Sequence, residues 1–242
     1  MEKEKQIWKI TPVLTGSFGM VRDDIKYRNG KPENQGYVPS VMFLLETCGH
    51  LVVVDTGFGD PSVCAEKLQL SVKRSQSLED IFKEASVKPK EVEAVIFTHL
   101  HWDHAGNAEC FTNAQYYCHE KEWNRAENHP EEYPEEWFSW LKKNRDRVHL
   151  IQGESAQEII PGIYIQYIGG HTYGSQMVIV NMEEGYGVIT GDVVMTEKNL
   201  QEEIPVGLCV NGKECETVFE KIRAWKPVMI YPSHDFKIFD RR

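Results

Sequence analysis

The chain has 242 residues, is 41% hydrophobic and 26% charged, and carries a formal net charge of -10. That length buries a core without disulfide or metal staples, and the acidic balance argues against RNA or DNA, whose phosphates are neutralised by lysine and arginine. No apolar run approaches the ~20 residues that span a bilayer. The opening "MEKEKQIWKI" has neither the apolar core nor the small-residue cleavage site of a secretory signal. Six scattered cysteines without a CxxC pair read as reduced thiols in a cytoplasmic protein.

In chain order, "IWKITPVLTG" and "SVMFLLETCGHLVVVDTG" are rich in β-branched and apolar residues, and "CGH" marks a hairpin turn between strands. The polar stretch "RDDIKYRNGKPENQG" between them reads as an exposed loop. "SLEDIFKEASVKPKEVE" sets Leu78, Ile81, Phe82 and Ala85 at helical spacing and ends before Pro89. "AVIF" is a short strand that leads directly into "THLHWDHAGN". The segment from Glu120 to Arg147 is helical in tendency, acidic and aromatic: either a solvated face over a core stripe, or a lid or dimer surface. Beyond it "GIYIQYIGG", "MVIVNM", "YGVITGD" and "PVMIYPSHD" read as strands, with a helix over about Cys215 to Ala224 before the last. No composition break divides the chain, which reads as one domain over 1–242 with a helical insert at about 120–147. Strands and helices in both halves predict packed sheets with helices outside.

The residues of "THLHWDHAGN" carry the chemistry. Side chains alternate along a strand, so His99 and His101 are expected to project the same way, with Asp103 and His104 following where the strand ends and a helix begins. Imidazole and carboxylate together suit zinc, iron or manganese. Four such groups so close together serve two ions better than one. His171 in "GGHTYGS", Asp192 in "ITGDVV" and His234 in "YPSHDF" each follow an apolar strand, where a loop can bring them to the same place. Taken singly they read as a turn histidine, a helix cap and a surface residue; taken with the first cluster they read as ligands. His50, His119, His129 and His149 lie outside this pattern.

The five elements "VVVDTG", "THLHWDH", "GGH", "TGD" and "PSH" stand in an order and spacing that resemble the metallo-β-lactamase superfamily. The resemblance implies a four-layer αββα sandwich with two divalent metal ions at one edge of its sheets, zinc first and iron or manganese as alternatives. It implies that His99, His101 and His171 hold one ion, that Asp103, His104 and His234 hold the other, and that Asp192 bridges them. Asp55 in "VVVDTG" matches a position that orients ligands by hydrogen bonds without binding metal. The implied chemistry is hydrolysis, a hydroxide shared by both ions attacking a carbonyl, with Asp103 as the general acid–base catalyst.

Within the superfamily the chain is most similar to N-acyl-homoserine lactone lactonases. "FLLET" before "VVVDTG", "DHAGN" continued by "FTNA", and "TEKNLQEEIP" after Asp192 carry that likeness. Those lactonases resemble one another in a tyrosine three residues after the bridging aspartate. Here that position is Met195, whose thioether donates no hydrogen bond, which leaves Tyr173 in "GGHTYGS" as a substitute donor. Trp102, between His101 and Asp103, either lines the mouth of the site or is buried beneath the loop. A small-molecule lactone or related ester is therefore the expected substrate. The alternatives are a thioesterase of the glyoxalase II kind and a metal-binding protein without turnover. The former is disfavoured because such enzymes add a C-terminal basic helical portion, and this sequence runs eight residues past His234.

Overall fold

The computed structural model describes residues 6–240, so the opening "MEKEK" and the last two arginines lie outside it. One sheet is built from β1 (Lys9–Arg22), β2 (Gln35–Thr47), β3 (His50–Val54), β4 (Ser71–Lys73), β5 (Ala94–Ile96), β6 (Gln115–His119) and β7 (Val148–Ile151), in the order β4-β1-β2-β3-β5-β6-β7. Its β1–β4 half is antiparallel, and β3, β5, β6 and β7 run parallel. A second sheet holds β8 (Gln157–Ile160), β9 (Ile163–Tyr167), β10 (Gln176–Met182), β11 (Gly185–Ile189) and β12 (Met229–Tyr231), in the order β12-β11-β10-β9-β8. Only its β11–β12 pair is parallel.

The strand residues explain the layering. Consecutive side chains point to opposite faces, and in β2, β3 and β10 both sets are apolar. Phe43, Leu45, Val52 and Val54 of the first sheet meet Ile163, Ile165, Val178 and Val180 of the second in the core between the sheets. Their neighbours Met42, Leu44, Val53 and Val95 face outward, as do Met177, Ile179 and Val188 of the second sheet. A strand apolar on both faces needs cover on both, and helices supply it. The helices are α1 (Asp23–Lys26), α2 (Pro61–Leu68), α3 (Leu78–Glu84), α4 (Trp102–Ala105), α5 (Glu120–Asn128), α6 (Glu135–Lys143), α7 (Glu197–Gln201) and α8 (Gly212–Ala224). Phe82 of α3, Trp123 of α5, and Phe138 and Leu141 of α6 pack on the outer face of the first sheet. Val218, Phe219 and Ile222 of α8 pack on the second. The result is the αββα sandwich. No helix among the described residues is long and apolar enough to cross a membrane.

The hairpin at "CGH" forms as expected, with Thr47 opposite His50 and Gly49 at a φ of +81°. The helices expected near Leu78 and Cys215 form as α3 and α8. Of the aromatic residues in the 120–147 segment, Trp123, Tyr133 and Phe138 are core with Trp140 packed against them, while Trp137 packs with Phe18 and Trp102. Two expectations need correction. The polar "RDDIKYRNGKPENQG" stretch is not simply an exposed loop, because α1 lies in it and Ile25 and Lys26 line the cleft described below. His99 and His101 are not on a strand: β5 ends at Ile96. The Thr98 and Leu100 amides donate to buried carboxylates, those of Asp55 and Glu122, rather than to a neighbouring strand. Strand alternation is therefore not what brings the two histidines together.

Phe43 is almost fully buried between the sheets and meets the Tyr231 ring edge-on at 5.8 Å. Phe43→Ala is expected to lower stability by about 3–5 kcal/mol, the range for buried aromatic truncation, as read from denaturant unfolding.

Candidate metal centre

Seven side chains converge from four segments, each following a strand: 99–104 after β5, His171 after β9, Asp192 after β11 and His234 after β12. They form two groups, His99, His101 and His171, and Asp103, His104, Asp192 and His234. In the first group His101 Nδ1 lies 3.1 Å from both His99 Nε2 and His171 Nε2. In the second, His104 Nε2 and His234 Nε2 lie 3.1 and 3.0 Å from Asp192 Oδ1, and Asp103 Oδ2 lies 3.4 Å from His234 Nε2. Asp192 joins the groups: its Oδ1 faces His104 and His234, while its Oδ2 lies 3.5 Å from His171 Nε2. Asp192 reaches this position on a tight turn in which Gly191 has a φ of +56°, and a Cβ there would lie 2.7 Å from the Thr98 side chain. Only glycine fits that backbone and that space.

The outer hydrogen bonds define the tautomers. His171 Nδ1 donates to the Leu208 carbonyl and His234 Nδ1 to the Pro39 carbonyl, both at 2.8 Å. A carbonyl can only accept, so each Nδ1 carries the proton and each Nε2 turns its lone pair inward. His104 Nδ1 donates to Asp55 Oδ2 at 2.8 Å. Asp55 also accepts the Thr98 amide and hydroxyl, both at 2.8 Å. The Thr98 oxygen in turn faces His99 Nδ1 at 3.2 Å. Asp55 thus fixes two imidazoles, one directly and one through Thr98. It does so from a φ of +56°, a strained conformation for a residue with a side chain, which costs on the order of 1–3 kcal/mol.

Charge is concentrated here and shielded from water. Burial, reinforced by the neighbouring imidazoles, pushes His99 and His101 well below the usual histidine range, toward the neutral form that binds metal. Burial works to raise Asp192, yet His234 and His104 outweigh it and hold the carboxyl well below its usual range. Burial raises Asp103. For His104 burial opposes the charged form, but Asp192, Asp55 and Asp103 draw it well above its usual value. For His234 burial is likewise outweighed by Asp192. The carboxylates therefore attract positive charge to the point between them.

The donor set fits divalent ions. His104 Nε2 and Asp192 Oδ1 are buried without a hydrogen-bond partner even though they lie 3.1 Å apart, so they aim at a common point rather than at each other. Unpaired buried polar atoms are costly, and a cation between them removes that cost. Nitrogen and carboxylate donors without thiolate suit zinc, iron or manganese. A third group, His129, Glu131 and Glu132, lies at the surface, where Arg125 pairs with Glu132 and His129.

A cleft of about 170 Å³ opens onto the centre. His101, Asp103, His171, Asp192 and His234 lie at its base, and its walls are largely apolar: Phe18, Met20, Val21, Ile25, Val38 and Leu70, with Trp102, Met195 and Leu208. Trp102 stands between the two alternatives. It lines the cleft, is half-buried, and packs edge-on against Phe18 at 4.9 Å. Met195 is buried in the wall, and its carbonyl accepts the His234 amide. Tyr173 corrects the sequence expectation: it is 44% exposed, lies under the Arg125 guanidinium at 4.5 Å, and is not among the residues lining the cleft. Its residue follows Thr172, whose amide and hydroxyl are tied to Ser175, and the loop there turns outward. The sequence places pocket shape in the Asp24 to Gly36 loop, and Ile25 and Lys26 from it do line the cleft, but sequence reasoning missed the apolar wall from β1 because no ligand-type residue marks it. It also missed Glu122, one glutamate in an acidic helix.

Fold and site together define a metal-dependent hydrolase. The profile described as "Metallo-beta-lactamase superfamily" matches residues 36–234, and the chain belongs to that superfamily. It is similar to an N-acyl homoserine lactonase of Bacillus cereus, with 28% identity over 210 residues covering 82% of this chain and 80% of the relative. A probable metallo-hydrolase of Methanocaldococcus jannaschii is 32% identical over 141 residues, covering 58% of this chain and 56% of that one. Among solved structures, a Bacillus thuringiensis lactonase variant with N-decanoyl-L-homoserine bound at its active site superposes with a TM-score of 0.82 at 24% identity, covering 98% of this chain and 97% of that one.

Asp192→Ala is expected to lower the metal content of purified protein from two ions per chain to one or fewer. Asp55→Glu should retain metal while losing activity, since outer partners tune affinity or activity by about 10–100-fold. Elemental analysis of both variants checks the difference, and equal metal content in the two would contradict the roles given to them.

Proposed function

We propose that this chain hydrolyses a lactone, such as an N-acyl-homoserine lactone, or a related ester at a dinuclear centre. The observation that carries the reading is Asp192, with one oxygen toward each group of candidate ligands at the base of an apolar cleft. His99, His101 and His171 would hold one ion, Asp103, His104 and His234 the other, and Asp192 both. Zinc is the first candidate, and iron and manganese suit the same donors. Two divalent ions at such a centre supply an activated water at neutral pH and Lewis-acid polarisation of the carbonyl. The names of the lactonase relatives support the substrate class.

The chain's own residues do the rest. Asp103 presents its carboxylate at the base of the cleft and takes the acid–base role, receiving a proton from the nucleophile and delivering it to the leaving atom. Asp55 and Thr98 keep His104 and His99 in the tautomers that face inward. Phe18, Trp102 and Leu208 receive the apolar part of the substrate and exclude water from the reacting bond. The cleft volume of about 170 Å³ lies below the ~300–1,000 Å³ of sites that enclose a drug-sized ligand, so a short acyl chain is enclosed and a longer one extends past the mouth. The 120–147 segment belongs to this one-domain arrangement as an insert that packs on the first sheet. A cytoplasmic setting accords with six unpaired cysteines.

Met195 favours a second reading, a thioesterase. No hydroxyl-bearing side chain lines the cleft among the described residues, and its non-ligand donors are the Trp102 indole and Lys26, whose ammonium is 2.8 Å from Asp23. An alkoxide is a poor leaving group and needs a protic donor more than a thiolate does. One such donor is typically worth about 3 kcal/mol in the transition state.

The deciding measurement is kcat/KM on a lactone and on the thiolactone of the same acyl chain, with metal content checked. The wild type should favour the thiolactone, and Met195→Tyr should narrow the gap by improving the lactone alone. Tyr173→Phe should leave both rates within about twofold, as befits a surface substitution away from the site. Absence of turnover on lactones, thioesters and phosphodiesters with two ions bound would establish the metal-binding protein without turnover instead.

A further inference from the structure

We propose that Glu122 is a positioning residue of the metal centre: its buried carboxylate clasps the His99–His101 loop to the His171 loop and thereby sets the affinity of the three-histidine group. The proposal rests on the dinuclear reading above.

Glu122 lies in the first turn of α5 and is fully buried. Its Oε1 accepts the Leu100 amide at 3.0 Å and the Tyr133 hydroxyl at 2.9 Å, and its Oε2 accepts the Gly174 amide at 3.0 Å. Leu100 is the residue between His99 and His101, and Gly174 lies three residues after His171. One carboxylate therefore holds the backbone of both loops that bring these histidines together. The approach is close: a Cβ on Gly174 would lie 2.3 Å from the Glu122 nitrogen. On the other side of the same junction, Gln176 donates its amide to the Thr98 carbonyl and its side chain to the Phe97 carbonyl. The two loops are thus pinned from two directions, and Glu122 is the only one of the two pins that is acidic.

Two physical consequences follow. His99, His104, His171 and His234 each have Nδ1 held by an oxygen. His101 faces inward with Nδ1 instead, and its ring lies against Tyr133 at 5.8 Å. Glu122 holds both that backbone and that tyrosine, so His101 is oriented through Glu122. The three-histidine group contains no carboxylate of its own and shares only Asp192, whose Oδ2 lies 3.5 Å from His171 Nε2, whereas the second group contains Asp103 and Asp192. A buried carboxylate hydrogen-bonded to the backbone of the two loops that carry these histidines adds negative charge that favours a cation among them. Glutamine at 122 keeps the shape but places an N–H₂ against one of two N–H donors, so one loop must lose its hold.

The test is a zinc titration of metal-free protein against a competing chelator, which resolves two binding steps. Glu122→Gln is expected to weaken one step by about tenfold or more, the scale of outer-shell changes at metal sites, and to leave the other nearly unchanged. His171→Ala removes the three-histidine group, and in that background Glu122→Gln should have no further effect on the remaining step. Wild-type affinity at both steps in Glu122→Gln overturns the proposal. So does an equal weakening of the remaining step in the His171→Ala background, which a general structural role would produce. If Glu122→Gln fails to fold, Tyr133→Phe removes one of the three bonds and should weaken the same step alone, and wild-type affinity there overturns the proposal. A wild type that binds no zinc would instead overturn the dinuclear reading.

Discussion

The structure is organised around the cost of burying charge. Asp55, Asp103 and Asp192 lie with five imidazoles at one edge of the sandwich, nearly all out of contact with water. Isolated carboxylates in such a place cost several kcal/mol each unless they are paired or hydrogen-bonded. Asp55 is satisfied by three donors. Asp192 and His104 retain unpaired atoms that point at a common position, and cations there complete the balance. The loops that carry these groups are held by strands at their ends, so the sheets must be rigid before the centre can exist.

The hydrogen bonds around the centre do more than satisfy polar atoms. They decide which nitrogen of each histidine faces inward. His171 and His234 are fixed by main-chain carbonyls from elsewhere in the chain, Leu208 and Pro39. Those same segments frame the cleft, since Leu208 lines it and Val38, beside Pro39, does too. Ligand orientation and pocket shape are therefore coupled through short stretches of backbone. A substitution in the cleft wall that moves either stretch changes the centre as well as substrate fit.

The cleft itself is apolar above a polar base. Trp102 illustrates how one residue serves both: it follows His101, opens α4, and presents its ring to Phe18 and to the cleft. Met195, packed with Val206 and Cys215, contributes a thioether to a wall in which no described residue carries a hydroxyl. Asp103, Lys26 and Trp102 are the proton-bearing or proton-accepting side chains left around that wall besides the histidines and Asp192.

The sequence by itself determined the layered sheet-and-helix class, through apolar strands and the helical spacing of α3 and α8. It also singled out all seven candidate ligands, because histidines and aspartates that follow apolar strands stand out locally. It could not say how they meet. His99 and His101 converge in a loop rather than on a strand, since buried acids from β3's end and from α5 take the amides a strand partner would have taken. The split of Asp192's two oxygens between the groups, the tautomers set by Leu208 and Pro39, the outward turn of Tyr173 and the clasp by Glu122 all depend on residues tens of positions apart in sequence. Side-chain type and periodicity are local properties that a sequence carries on its face. Which oxygen or carbonyl lies opposite a given nitrogen is decided only when the two sheets close on each other.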